Sequence, residues 1–155
     1  MTTIRQEARR LAASIQALTA QLDENQSALA GHVHQLAPHL QDIPGVGAVT
    51  GAILITAYSH KGRIRSEATF AALAGAAPLQ ASSGNTTRHR LNRHGDRQLN
   101  RALDIIARVR MSHDQTTRDY TERRLAAGKT TREIRRSLKR YLAQSLFRQL
   151  NMLMA

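Results

Sequence analysis

Ile43-Pro44-Gly45-Val46-Gly47-Ala48-Val49-Thr50-Gly51-Ala52-Ile53-Leu54 is the stretch on which the fold turns. Proline and two glycines let the backbone reverse tightly, and the apolar run that follows has the length of a buried helix rather than a strand with alternating faces. The first amides of that helix point outward and suit one phosphate. A plain helical corner with a glycine cap is the competing reading of the same residues. Either way two helices meet here, so the chain divides into residues 1–40 before the turn and 41–155 after it.

Upstream, residues 2–37 predict one long helix. Ile4, Ala8, Leu11, Ile15, Leu18, Leu22, Leu29 and Leu36 recur at alternating spacings of three and four, the seam of a coiled coil. Asn25 occupies one seam position. Val33 and Leu40 shift the apolar stripe sideways just before Pro38 stops the helix. The spacing predicts self-pairing of this helix, hence a homo-oligomer. His32, His34 and His39 read as helix-end surface rather than a metal site, since no acid sits among them.

Downstream, no strand-like alternation persists, and the expected class is all-α. A helix-hairpin-helix-like unit spans about 43–57, with Gly45 and Gly47 as its phosphate-facing glycines. Lys61, Arg63 and Arg65 lie in a basic loop, and Ser66 caps a short helix ended by Gly75. A bundle is expected over 94–153. Leu99, Ala102, Leu103, Ile106 and Val109 form one apolar face, with Arg97, Arg101 and Arg108 off it. Asp114 caps a helix that Gly128 ends, and Thr130-Thr131-Arg132-Glu133 is a capping box. The last helix should bury Ile134, Leu138, Tyr141, Leu142, Leu146 and Leu150. Arg135, Arg136, Lys139 and Arg140 should lie outside.

Between these helical parts, residues 76–93 carry the chemistry. Ser82, Ser83, Gly84, Asn85, Thr86 and Thr87 lead into Arg88, Arg90, Arg93, Arg97 and Arg101, and no acid appears from Ala68 to Gly95. Guanidinium forks chelate phosphate oxygens in pairs, so the arginines are candidate nucleic-acid ligands. A solvated basic loop feeding a helix is the bland alternative.

Composition bounds the rest. The chain of 155 residues has net charge +12, and residues from Asn85 onward hold 17 of the 23 basic side chains against 6 of the 11 acids. Such a field concentrates polyanions, with nucleic acid ahead of a membrane surface because the basic helices lack aromatic anchors. The absence of cysteine excludes disulfides and thiolate metal sites and fits a reducing cytoplasm. No apolar run has the length of a signal peptide or a membrane span.

From Ile43 to about Leu150 the chain resembles the C-terminal domain of the insertion-sequence transposases of the one-ten type. The carrying residues are Ile43-Pro-Gly-Val-Gly47, Phe70-Ala-Ala-Leu-Ala-Gly75, Ala77-Pro78, Ser83-Gly84, Gly95-Asp-Arg-Gln-Leu-Asn-Arg-Ala102 and His113-Asp114. The resemblance implies a DNA recombinase programmed by a structured guide RNA. It implies a serine nucleophile a few residues beyond the Ala-Pro pair, matched by Ser83 with Ser82 as competitor. It further implies metal-binding acids in an N-terminal RNase-H-like domain, where Mg2+ is expected; no cofactor is expected in this chain. Asn85 stands where a second glycine is common, and Gly51 where the helix usually has alanine. The expectation is a truncated member or excised domain, inactive without the acidic domain. A non-catalytic helix-hairpin-helix module and a coiled-coil regulatory partner of full-length transposase remain open beside it.

Overall fold

A computed structural model of the chain describes residues 2–77, 79–80, 89–90 and 95–154. The described elements are α1 (Thr2–Leu36), a 3-10 turn (Leu40–Asp42), α2 (Ala48–Tyr58), α3 (Glu67–Leu73), β1 (Leu79–Gln80), β2 (His89–Arg90), α4 (Arg97–His113), α5 (Gln115–Ala126) and α6 (Thr131–Leu153). The fold is all-α apart from the antiparallel pairing of β1 with β2, with Leu79 opposite Arg90 and Gln80 opposite His89. Two residues per strand are too few for an alternating pattern to appear in the sequence.

The helix ends follow local chemistry. Ser66 Oγ accepts the Thr69 amide at 3.2 Å, and Asp114 Oδ2 accepts that of Thr117 at 2.9 Å. Thr130 and Glu133 complete a reciprocal box, with the Thr130 amide donating to Glu133 Oε2 at 2.9 Å. Asp96, which the charge pattern did not single out, caps α4 by accepting the Gln98 and Leu99 amides at 2.8 and 3.0 Å. Each such cap contributes about 1 kcal/mol by satisfying otherwise orphaned helix donors.

The core lies among α2, α3, α4 and α6. Leu54, Tyr58, Phe70, Leu99, Leu103, Ile106, Leu146 and Leu150 are fully buried there. The ring of Phe147 meets those of Tyr58 and Phe70 at centroid distances of 5.9 and 5.8 Å. Burial raises the Tyr58 hydroxyl above its ordinary pKa, and that hydroxyl donates to Asn151 Oδ1 at 2.9 Å. A buried phenol is tolerated because its one polar group is satisfied.

The two halves of α1 live in different environments. Residues 3–28 are exposed throughout, including Ile4, Leu11, Ile15, Leu18 and Leu22 of the seam. Val33, Ala37 and Leu40 are buried in the core. The sideways shift of the apolar stripe therefore marks where the chain turns its face from the arm to the body. Gly51 lies in that contact: a Cβ built on it would lie 3.0 Å from Val33 Cγ1.

Several side chains fall on faces other than those expected. Tyr141 is 61 % exposed, beside a cavity of about 140 Å³ that it lines with Arg110 and Leu138. Val109 is also exposed, at the edge of the apolar stripe of α4. Lys139 moves the other way, from the expected outer face to a side chain only 13 % exposed. His39 pairs with Asp42, its Nδ1 2.8 Å from Oδ2, so an acid does sit beside that histidine. Among the described residues no group of three or more metal-ligating side chains assembles.

Candidate nucleic-acid interface

The turn at 43–47 is built on a bond from the Val46 amide to the Ile43 carbonyl, 3.0 Å, with Pro44 and Gly45 at its centre. Gly45 has φ +85°, a left-handed conformation that a turn of this kind asks of glycine at its third residue. It also sits against α4, where an added Cβ would lie 3.1 Å from the Ile106 carbonyl oxygen. Gly47 is the N-cap of α2, and nothing lies within 4 Å of the place a Cβ would occupy. Its own amide donates to Thr50 Oγ1 at 2.9 Å, while Ala48 and Thr50 of the first turn are buried. Val49, in that turn, is exposed. Gly45 is thus tied to packing, while Gly47 borders free space.

The second part of the site is the neck of the serine and arginine segment. Leaving α3, the chain turns at Gly75, φ +62°, and it re-enters the described body at Gly95. These two glycines are pressed backbone to backbone. A Cβ on Gly95 would lie 2.6 Å from the Gly75 nitrogen, 2.8 Å from its Cα and 2.8 Å from the Leu73 carbonyl oxygen. The Asp96 amide donates to that same Leu73 carbonyl at 2.7 Å. Just beyond, Asn100 Nδ2 donates to the Ala74 carbonyl at 2.6 Å, and Lys139 Nζ donates to Asn100 Oδ1 at 2.9 Å. Residue types alone do not reveal this neck, because its partners are separated by up to 39 positions in the chain.

Arg97 and Arg101 rise from the first turns of α4, next to the neck, and both are exposed. Neither forms an ion pair among the described residues. Their neighbours differ: Asp104 collects Arg108 at 3.4 Å, Arg135 at 3.5 Å and Lys139 at 3.7 Å. One carboxylate among three cations leaves this face of α4 and α6 with surplus positive charge. Burial lowers the Lys139 pKa, and Asp104 opposes the shift. Of the other expected ligands, Arg90 lies in β2, where only the backbone is described. Ser82, Ser83, Arg88 and Arg93 lie outside the described residues.

Across residues 37–122, more than half of the chain, the sequence matches the family model described as transposase IS116/IS110/IS902 family. The chain belongs to that transposase family. The matched segment runs from the buried Ala37 through the turn at 43–47, the neck and α4 into α5. A curated relative, the "Insertion element IS110 uncharacterized 43.6 kDa protein" of Streptomyces coelicolor, is 32% identical over 151 residues, covering 97% of this chain. The chain spans about a third (34%) of that relative's length. No described helix is long and apolar enough to cross a membrane.

Proposed function

We propose that this chain is a nucleic-acid-binding part of a transposase or DNA recombinase and that it supplies a serine for strand cleavage and transfer. The observation that carries the reading is the placement of Arg97 and Arg101. Both stand exposed, without a carboxylate partner among the described residues, beside the neck of the serine segment and inside the stretch that matches the transposase family. Guanidinium groups so placed bind phosphate oxygens and stabilise charge gathering at phosphorus.

In this reading Ser83 Oγ attacks a DNA phosphodiester. A serine–phosphorus ester forms as the bond to one deoxyribose oxygen breaks; the serine proton passes to water, and the released oxygen takes a proton back from water. A second strand's hydroxyl later displaces the serine. Arg88, Arg90, Arg93, Arg97 and Arg101 hold the phosphate, and the start of α2 at Gly47 contacts backbone as a helix-hairpin-helix unit does. A serine hydroxyl needs an activating partner. The resemblance assigns that task to divalent ions on the acids of an RNase-H-like domain. The described residues offer no set that fits such ions, so no step here runs through them. A structured guide RNA is the second nucleic-acid partner implied.

The arm of α1 supports a further part of the reading, self-pairing. Its exposed seam of Ile4, Leu11, Ile15, Leu18 and Leu22 is left uncovered by the other described residues, and a helix in a protein draws most of its stability from packing its apolar face. A second copy of the same seam gives the matching surface.

The test is binding to duplex DNA across a salt series. Arg97→Gln/Arg101→Gln should weaken binding at every sequence and reduce the slope of log K against log salt by up to roughly 0.9 for each phosphate no longer neutralised. An unchanged slope would remove these arginines from the interface.

A further inference from the structure

The structure holds a polar relay that the family reading does not use. It starts at Lys139 on α6, passes through Asn100 on α4 and ends on the Ala74 carbonyl, at the C-terminal end of α3. Its direction is set by chemistry. An ammonium only donates, so Lys139 Nζ selects Oδ1 of the Asn100 amide and turns Nδ2 towards Ala74. Asp104 Oδ1, 3.7 Å from Nζ, and the largely covered side chain hold the lysine in place. The relay ends where the serine segment leaves the body, one residue before Gly75, whose backbone is in contact with Gly95. On the far side of Gly95, the Asp96 amide bonds the Leu73 carbonyl. Both ends of the segment are thereby tied to one point. In the chain, the short ladder of Leu79–Gln80 with His89–Arg90 lies between these two ends.

We propose that Lys139 is a positioning residue: acting through Asn100, it fixes the neck between Ala74 and Gly95 and so keeps β1 paired with β2. The functional half of this inference rests on the serine reading above; the structural half does not. An amide bonded to a carbonyl at 2.6 Å on one side and to an ammonium at 2.9 Å on the other has no second low-energy orientation. Loss of the ammonium frees the Asn100 amide to rotate and releases Ala74. A displacement of about 1 Å at a reacting hydroxyl is enough to cost on the order of a hundredfold in rate.

The chain has no cysteine, so Gln80→Cys/His89→Cys gives a clean pair for nitroxide labels across the ladder. Dipolar broadening of the label spectrum then reports whether the two strands stay paired. In the labelled protein, Lys139→Met and Asn100→Asp should each abolish most of the broadening while circular dichroism and the melting transition stay cooperative. Lys139→Arg, which keeps a cationic donor, should retain it. Asn100→Asp is the discriminating variant. It keeps an acceptor for Lys139 and adds charge to the cluster, yet lacks the donor to Ala74, so a role limited to ion pairing predicts no loss.

The second readout is the yield of covalent protein–DNA adduct when the acidic domain and guide RNA are supplied. It should fall tenfold or more in both Lys139→Met and Asn100→Asp, and Lys139→Arg should restore it. Unchanged broadening in both variants overturns the relay as the clamp. Lost broadening with full adduct yield overturns its positioning role. If the unsubstituted protein forms no adduct at all, the serine reading fails, and the label spectra alone decide for or against the clamp.

Discussion

Gly95 is the residue at which one methyl group should be most disruptive. Its Cβ would meet backbone atoms of Leu73 and Gly75 at 2.6–2.8 Å, and none of them can rotate away. Gly95→Ala should therefore destabilise the fold by about 2 kcal/mol or more, read as a lower denaturation midpoint. Gly51 is the useful contrast. A Cβ there faces the methyl group of Val33 at 3.0 Å, a side chain able to shift by tenths of an ångström. Alanine also favours the helix by up to about 1 kcal/mol over glycine. Gly51→Ala should accordingly stay within about 1 kcal/mol of the parent, which an equilibrium urea titration would resolve. Asp114 adds a pH dependence. The hydrogen bond from the Thr117 hydroxyl, with smaller help from its amide and from Arg110, holds the Asp114 carboxyl below its ordinary value of 3.8. A depressed carboxyl contributes stability that is present above the unfolded pKa and lost as pH falls through the folded one. Asp114→Ala should thus cost about 1 kcal/mol at neutral pH and flatten the acid limb of the stability curve below pH 3.8.

At the scale of elements, α1 acts as two pieces with a boundary near residue 29. Cutting after residue 28 should leave a body that melts cooperatively, because Val33, Ala37 and Leu40 remain in its core. Cutting after residue 36 removes Val33 and uncovers Gly51, and that shorter chain should lose a substantial part of its stability. Sedimentation of the intact and 29–155 chains should show self-association only in the former. A monomeric intact chain at high concentration would refute the pairing. The extent of α1 and the caps at Ser66, Asp114 and Thr130 were legible in the sequence because each depends on residues within a turn or two. Faces were less so. Periodicity gives the centre of an apolar stripe, but its width depends on the neighbouring helix. That is how Tyr141 and Val109 come to be exposed and Lys139 covered. The neck at Gly75 and Gly95 was illegible for a related reason: two glycines twenty residues apart carry no signal that they touch. Within the candidate site, Gly45 and Gly47 could be located from the turn chemistry alone, whereas the Asn100–Lys139 bond required α4 and α6 to be packed.

At the scale of the molecule, the described residues set exposed Arg97 and Arg101 beside the neck, and one carboxylate, Asp104, among Arg108, Arg135 and Lys139 on the adjoining faces of α4 and α6. That arrangement is the basis of the proposed phosphate binding, and it lies partly within the family match over residues 37–122. The most direct measurement of the central claim is mass-spectrometric mapping of the covalent protein–DNA adduct, with the acidic domain, its guide RNA and magnesium supplied. A phosphodiester-derived mass is expected on Ser83, lost in Ser83→Ala and retained in part in Ser82→Ala. An adduct that survives Ser83→Ala, or DNA transfer without any serine-linked intermediate, would contradict the claim.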